Sequence, residues 1–403
     1  MGNDHSSINI YDLLGEPEKT SLFDLIERKK LAVGLSNLQL ATILNISRSS
    51  FDRIIKNIEE NDLKDIDFFI LLKLTQFLGI GIEQISQSFV ASLDVESIRE
   101  LEYARKAHFI YENFDVKNLK KAGFIESIAN FDIIENRINQ FFGLGSVFSY
   151  NSSTLYIPAF SRTKRNGSQL MKEFWIKSIK AYLEKINNPY PYDRKLLVDL
   201  IPKIRPYTVN VEDGLKTVAQ ALFRAGVTVV FPQSLPLTQA RGATFVFDNR
   251  PCIALTDLNK NYATVWFALL HELHHVLYDY KDIEKQTYHL TGEPDLFLIQ
   301  ESTADAFARD YLFSDEKCRY IAPYIESPHL VAKYARESQV HVSIVYNFFA
   351  WYAQVNNLGS MWSKIQWAHP DLKLALNFMD TRLFNATSLV ESAAVLEKSV
   401  YNI

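Results

Sequence analysis

The sequence predicts a mainly α-helical protein with a small β-sheet, an α+β fold divided into more than one domain. Apolar residues recur at helical spacing over most of the chain, whereas short β-branched and aromatic runs are confined to residues 227–256. The chain has 403 residues, of which 47% are hydrophobic, and this is more than one hydrophobic core ordinarily serves. We therefore expect two or three domains.

Composition narrows the class of protein. The formal net charge of −4 gives no overall attraction to nucleic acid or to an anionic membrane. Two cysteines, Cys252 and Cys318, lie far apart, so we expect no disulfide framework and assign them no role. Neither a signal peptide nor a run of 18 apolar residues is evident, which predicts a cytoplasmic protein without membrane association.

The order of these patterns predicts four segments. Residues 1–20 are polar and form a flexible arm, residues 21–90 form a compact helical domain, and residues 91–150 form a helical connector. Residues 151–403 form the larger domain, which holds the strands and ends in a helical extension.

Residues 21–87 read as a series of short helices with a helix-turn-helix signature. Ser36 and Ser47 are residues that cap helix N-termini, and each precedes a run with helical apolar spacing. The apolar positions that supply a core are Leu40, Ala41, Leu44, Ile46, Phe51 and Ile54. Asn45 stands at the turn, where its tolerance of left-handed geometry replaces that of glycine.

The stretches SNLQLATILNISRSSFDRII and LLKLTQFLGIGIEQI resemble the Cro/C1, or XRE-type, helix-turn-helix family. The resemblance implies a recognition helix that begins near Ser47 and faces a major groove of operator DNA. The candidate DNA-binding residues are Asn37, at a phosphate, and Arg48, Ser49, Ser50, Arg53 and Lys56. Residues 1–90 nevertheless hold nine Lys and Arg against thirteen Asp and Glu, so a domain used for protein contacts or for a homodimer stays open as an alternative.

The chemistry of the larger domain centres on residues 261–280, which read NYATVWFALLHELHHVLYDY. His271, Glu272 and His275 follow the order HExxH. On an α-helix, residues four apart share a face, so both imidazoles reach one metal ion while Glu272 stands beside them as a candidate general base. Two histidines and a third protein ligand are a typical catalytic zinc set.

A third ligand is available downstream in ESTADAFARDYL, a predicted helix with a small-residue face. Glu301 lies 30 residues after His271 and is the candidate third ligand. Asp305, one turn later, is positioned to accept the free N–H of a metal-bound histidine. We expect His274 to be a surface or supporting histidine.

Three runs, VTVVF, ATFVF and CIALT, predict a small sheet directly before this centre, with residues 248–251 as a hairpin turn. A sheet edge beside the metal would hold an extended peptide as an added strand. Residues 281–300 are polar and predict a mobile loop over the cleft, from which His289 could reach the site as an electrophile.

Together, WFALLHELHHVLYDY and ESTADAFARDYL resemble the ImmA/IrrE family of zinc metallo-endopeptidases. The resemblance implies that Zn²⁺ is held by His271, His275 and Glu301, with Glu272 as the catalytic residue. The family usually has glycine at the position of His274 and commonly asparagine at that of Asp305. It also implies a cytoplasmic regulatory protease whose substrate is a protein such as a transcriptional repressor or an antitoxin.

These observations lead to two functional hypotheses, one for an enzyme and one for a regulator without enzymatic activity. The first is a zinc endopeptidase coupled to a helix-turn-helix that binds DNA or protein. The alternative is a non-proteolytic XRE-type regulator or antitoxin whose zincin-like domain senses a ligand or partner. An intact set of His271, Glu272, His275 and Glu301 favours the enzyme, because a binding module has no need of a base.

Overall fold

The computed structural model describes residues 21–151, 167–258, 260–286, 288–290, 301–378 and 383–402. Over these residues the protein is mainly helical and has one four-stranded mixed sheet, as the sequence predicts for an α+β fold. The chain divides into two compact units, Met1–Arg105 and Lys106–Ile403. The predicted arm over residues 1–20 lies outside the described part, and the predicted domain limits stay predictions.

The first unit consists of short helices around its own hydrophobic core. Its helices are α1 (Leu22–Val33), α2 (Asn37–Leu44), α3 (Arg48–Glu59), α4 (Phe68–Leu78), α5 (Ile82–Ala91) and the beginning of α6 (Val95–Asn113). The core takes one or more residues from each of α1 to α5, and Leu40, Leu44 and Phe51 within it are fully buried.

Local capping explains why α2 and α3 begin and end where they do. Ser36 and Gln39 form a reciprocal capping box, and the Ser47 hydroxyl accepts a hydrogen bond from the Ser50 N–H at 3.1 Å. Asn45 ends α2 with a φ of 55°, in the left-handed region. A three-residue connection, 45–47, therefore joins the two helices, and the caps predicted at Ser36 and Ser47 are confirmed.

The helices of the second unit come before and after the first three strands in the sequence. Before the sheet come the rest of α6, α7 (Val116–Lys121), α8 (Phe131–Phe142), α9 (Gly167–Leu183), α10 (Arg194–Ile204) and α11 (Gly214–Arg224). After β3 come α12 (Tyr262–Tyr278), α13 (Tyr280–Gln286), α14 (Glu301–Leu312), α15 (Asp315–Ile321), α16 (Pro328–Glu337), α17 (Val342–Val355), α18 (Leu372–Ala375) and α19 (Leu389–Leu396). None of the described helices is both long enough and apolar enough to cross a membrane.

The sheet contains β1 (Thr228–Val230), β2 (Gly242–Phe247), β3 (Arg250–Leu255) and β4 (Tyr288–Leu290), in the spatial order β1-β3-β2-β4. β1 pairs in parallel with β3, whereas β2 is antiparallel to both β3 and β4. The predicted hairpin is present but tighter than expected. Asp248 and Asn249 alone make the turn, with φ of 46° and 62°, which is the geometry of a type I′ hairpin.

The prediction of a mobile loop over residues 281–300 is wrong for its first part, which forms a helix and a strand. Residues 281–286 belong to α13, and Tyr288–Leu290 forms β4, in which His289 pairs with Thr244 of β2. A three-residue strand takes its stability from the neighbouring strand rather than from local pattern, so its own sequence carries little signal. Residues 291–300, the rest of the predicted loop, lie outside the described residues.

The α12 helix is the central element of the second unit. Ten consecutive residues, 268–277, are buried, so this helix is covered on every side. It packs against β2, β3, α14 and α17, and the side of α14 that includes Ala304, Ala308 and Leu312 is fully buried. Small residues on α14 let the two helix backbones approach closely, as the sequence predicts.

The left-handed turn at Asn45 gives a test of the first unit. Replacing Asn45 with alanine should lower the free energy of unfolding by about 1 kcal/mol, because alanine lacks the short polar side chain that eases this conformation. Asn45→Gly should leave stability unchanged or raise it slightly. Amide hydrogen exchange of α2 and α3 in the full chain measures the change.

The control is Asn57→Ala, the same chemical change within the right-handed helix α3. That variant should be neutral or slightly stabilising, since alanine is the better helix former. Equal effects of the alanine substitutions at Asn45 and Asn57 would contradict the role given to the turn.

Candidate metal centre

The histidines of the HExxH stretch meet on one face of α12. The Nε2 atoms of His271 and His275 lie 3.1 Å apart, and both residues are essentially inaccessible to solvent. One helical turn separates them in sequence, so the spacing alone brings the two rings together. The structure therefore pairs the two imidazoles as the sequence predicts.

Each of the two imidazole rings is oriented by a carboxylate that lies at its Nδ1 atom. His271 Nδ1 lies 2.9 Å from Asp305 Oδ1, and His275 Nδ1 lies 2.8 Å from Asp279 Oδ2. An ionised carboxylate only accepts hydrogen bonds, so the Nδ1 atoms carry hydrogen and donate it. In neutral rings this leaves lone pairs on both Nε2 atoms, and two facing lone pairs at this distance require a positive charge between them.

Glu301 brings a negative oxygen to the same point. Its Oε2 lies 3.1 Å from His271 Nε2, and the ligand atoms of His271, His275 and Glu301 all lie within 4.8 Å of one another. Tetrahedral ligands about 2.0–2.1 Å from a zinc ion are separated from one another by roughly 3.3 Å. The donor set and its spacing therefore fit a divalent metal ion.

The charges of this group favour a cation. Burial opposes a charged imidazole, but the hydrogen bonds from His271 to Asp305 and Glu301 outweigh it and raise the pKa of His271 to about 10. Burial also opposes ionisation of Glu301, yet hydrogen bonds from His271 and His289 hold the pKa of that carboxyl well below its usual range. A proton on His271 supplies one positive charge here, whereas a divalent ion would supply two.

Glu272 is held apart from the three ligand atoms. Its side chain is fully buried, and the Thr244 hydroxyl donates a hydrogen bond to its Oε2 at 2.7 Å. A Cβ at Gly242 would lie 2.4 Å from Glu272 Oε1, so glycine at the start of β2 makes room for the carboxylate. Glu272, His271 and Glu301 line one cavity of about 380 Å³, which we call the metal cavity.

His289 reaches the centre from β4, but as a partner of Glu301. Its Nε2 lies 2.8 Å from Glu301 Oε1, and its ring centroid lies 4.5 Å from that of His275. His289 is buried, with 3% of its surface exposed. His289 therefore fixes the Glu301 carboxylate so that the other oxygen, Oε2, faces His271, while its suggested role as an electrophile stays a prediction.

His274 points to another side of α12. Its ring packs against the rings of Tyr278 and Phe307, with centroids at 4.8 Å and 5.4 Å. Burial and the neighbouring His275 lower the pKa of His274. His274, His275 and Asp279 also have donor atoms close together, but Asp279 is already the hydrogen-bond acceptor of His275. The group with Glu301 is therefore the better metal site.

Several residues that contact this centre or line its cavity are not predicted from the sequence. Asp279 lies four residues after His275, so helical spacing could have revealed it. Thr244 and Gly242 come from a strand 28 and 30 residues before Glu272, and no local pattern marks them. Lys172 of α9 and Arg241 also line the metal cavity, and only the fold brings them there.

The candidate DNA-binding residues lie on the surface of the first unit. Asn37, Arg48, Ser49, Arg53 and Lys56 are exposed at α2 and α3, and Ser50 is half-buried beside the Ser47 cap. Exposed ion pairs link Arg48 to Asp52 at 3.9 Å and Lys56 to Glu60 at 3.6 Å. Two of the three basic side chains of this helix face thus have acidic neighbours, which weakens their attraction to phosphate.

The ligand set leads to a binding prediction, with Zn²⁺ as the probe ion. His271→Ala should abolish tight binding, because it removes a ligand and leaves Asp305 without its donor. Asp305→Ala should weaken binding about 10- to 100-fold, since it removes the partner that orients His271. Calorimetric titration of the full-length variants measures both.

The matched control is His329→Ala, which removes an exposed histidine of α16. Its affinity should equal that of the wild type. If His271→Ala binds zinc as tightly as His329→Ala does, the metal centre is not the one assigned.

Comparison with known protein families, curated proteins and solved structures finds no match for the chain. The functional argument therefore rests on the residues of the metal cavity and on the chemistry they support.

Proposed function

We propose that the protein is a zinc-dependent endopeptidase of the ImmA/IrrE type. The observation that carries the proposal is the convergence of His271, His275 and Glu301 on one point, with the Glu272 carboxylate beside them on the same cavity. Two imidazoles and a carboxylate are a ligand set that catalytic zinc uses, with one position left for water or substrate. This supports zinc over calcium or magnesium, which prefer oxygen ligands.

The ligands would hold the ion from two helices, α12 and α14. Asp305 and Asp279 keep both imidazoles in the tautomer whose Nε2 faces inward, and His289 holds the Glu301 carboxylate. A zinc ion at this point supplies a Lewis acid that polarises a carbonyl and lowers the pKa of water to about 7.

Glu272 is suited to move the proton. As a base, its carboxylate accepts a proton from the water that attacks the peptide carbonyl carbon, and a C–O bond forms. As an acid, it then gives that proton to the departing amine nitrogen as the C–N bond breaks. The Thr244 hydroxyl supports both steps, because its hydrogen bond keeps the carboxylate in one orientation.

An extended peptide substrate could pair with an edge of the sheet. That edge is not β2, the strand that contacts Glu272, but an outer strand. β2, which carries Thr244, is paired on both sides over Ala243–Phe245, so a substrate strand has no free edge there. Among the described strands, β4 and β1 are the outer ones. The outer edge of β4, beside Glu301, is therefore where a peptide backbone would add as a strand.

The helices α2 and α3 support a recruiting role for the first unit. Their capped, three-residue connection and the exposed residues at their surface agree with an XRE-type helix-turn-helix. Operator DNA or a similar domain in a repressor or antitoxin substrate would be its partner. The acidic neighbours of Arg48 and Lys56 favour a protein partner.

The rival proposal, a regulator that cleaves nothing, leaves Glu272 unexplained. A module that only binds metal or a ligand needs neither a fully buried carboxylate next to the ligand set nor a hydroxyl that orients it. Burying an ionised carboxylate is costly unless hydrogen bonds compensate it. A carboxylate held in this way beside a metal site is what general-base catalysis requires.

Glu272→Gln tests the enzyme directly. The variant should keep its zinc but lose proteolysis, because glutamine keeps the shape of the side chain and cannot take a proton. Profiling of new protein N-termini in stressed cells that express either form should reveal a substrate cut only by the wild type. Matching profiles from two zinc-loaded proteins, under every stress applied, would remove the main support for the protease and favour the regulator.

Thr244 offers a second test, through the position of the base. Thr244→Val should lower kcat about 10- to 100-fold, because it removes a hydrogen bond to a charged group worth roughly 1.5–3 kcal/mol. KM and zinc content should stay near the wild-type values. Thr244→Ser, which keeps the hydroxyl, is the matched control and should restore most of the rate; equal loss in both variants would point to packing instead.

A further inference from the structure

A second cavity opens beside the metal cavity. It has a volume of about 250 Å³, and because Arg241, Thr264, Phe267 and Asp305 line both cavities, the two are adjacent. Its other walls come from α14, α17 and the segment after α17. We call it the aromatic pocket, because four of its nine lining residues are aromatic: Phe267, Phe348, Trp351 and Trp362.

Contacts within the chain hold these rings in place. The Arg309 guanidinium lies over the Trp351 ring, 4.4 Å from its centroid, and the Trp362 indole N–H donates a hydrogen bond to Gln354 at 2.7 Å. Phe267 and Phe348 meet edge to face with centroids 6.0 Å apart. The pocket is thus preformed, as binding sites for specific side chains usually are.

The exposure of the tryptophans distinguishes this pocket from the core. Trp175 and Trp266 of the same unit are fully buried, whereas Trp351 and Trp362 are only half-buried and face the cavity. Exposed aromatic surface costs free energy that burial would recover. An apolar ligand in the pocket would recover it.

The location and size of the pocket point to a single substrate side chain. Asp305 lines both cavities and is hydrogen-bonded to His271, so the pocket begins directly next to the metal ligands. The volume of about 250 Å³ falls below the range of roughly 300–1,000 Å³ typical of sites for whole small molecules.

Arg241 adds a charge at the junction of the two cavities. Its side chain is exposed and forms no ion pair with any residue in the described part of the chain. Arg309, by contrast, is stacked on Trp351 and lies 3.9 Å from Asp315. Arg241 is therefore a cation that remains available, among the described residues, to an acidic group on a bound peptide.

We propose that the aromatic pocket is the specificity site of the enzyme: it takes a large apolar side chain from a residue next to the scissile bond, and Arg241 binds an acidic residue adjacent to it. This inference rests on the proposed endopeptidase function and names its substrate class. Cleavage sites are then peptide segments in which a large apolar residue neighbours an acidic one.

The test is cleavage of a proteome-derived peptide library by the zinc-loaded full chain, with products identified by mass spectrometry. The wild type should select a large apolar residue at one position beside the cut and an acidic residue near it. Trp351→Ala should lower kcat/KM for those peptides at least about tenfold and weaken the apolar preference, since even one methylene group in an apolar pocket is worth about 10- to 200-fold. Trp351→Phe should retain most of it.

Two further variants complete the design. Trp367→Ala removes a tryptophan that is 63% exposed and lies outside both cavities, so its cleavage pattern should match the wild type. Arg241→Glu should shift the flanking preference from acidic to basic residues, with the apolar preference unchanged. Circular dichroism and zinc content establish that each variant is folded and loaded.

The outcomes separate the two proposals. Cleavage by the wild type without an apolar preference, or a preference that Trp351→Ala retains as fully as Trp367→Ala does, overturns the assignment of the pocket and leaves the endopeptidase standing. An acidic preference that survives Arg241→Glu overturns the role of Arg241. A wild type that cleaves no more than Glu272→Gln does overturns the proposed function, and the specificity site with it.

Discussion

The second unit depends on one electrostatic constraint, the close approach of two buried imidazole nitrogens. His271 and His275 face each other at 3.1 Å, and carboxylates behind them prevent either ring from turning away. Such an arrangement is stable only with positive charge at its centre. The surrounding elements supply the other groups of this centre: α14 carries Glu301, β4 carries His289, and Thr244 of β2 holds the Glu272 carboxylate.

Burial makes this constraint strong. Residues 268–277 of α12 are buried, so the interactions of their polar groups are weakly screened by water. The same burial would be costly for Glu272 without the Thr244 hydroxyl and without the space left at Gly242. β2 and α12 must therefore fit each other closely, which explains why Gly242 and Thr244 of β2 matter to the site: one leaves space for Glu272 and the other donates a hydrogen bond to it.

The sequence predicts those parts of the site that are local. Helical spacing brings His271 to His275 and Glu301 to Asp305, and capping rules mark the ends of α2 and α3. Contacts between distant segments leave no such mark. Thr244 contacts Glu272 only because β2 packs against α12. The sequence does not predict β4, because a strand of three residues with a single neighbouring strand is too short to show a periodic pattern. The tight hairpin at Asp248 and Asn249 is predicted only in part. Its turn residues are recognisable in the sequence, but the number of residues in the turn depends on the register in which β2 pairs with β3.

Asp279 ties the metal centre to the stability of a helix end. Its side chain accepts the hydrogen bond from His275, and its own N–H donates to the His275 carbonyl at 2.9 Å, where it closes the last turn of α12. Fraying of this turn would therefore release the ring of His275 at the same moment. Opening of the last turn and release of the ion then become one event. A bound ion would therefore oppose the fraying by the difference between its binding free energies to the closed and the opened turn. With the ion bound, the amide hydrogens of the last turn of α12 would exchange as slowly as those of the helix interior.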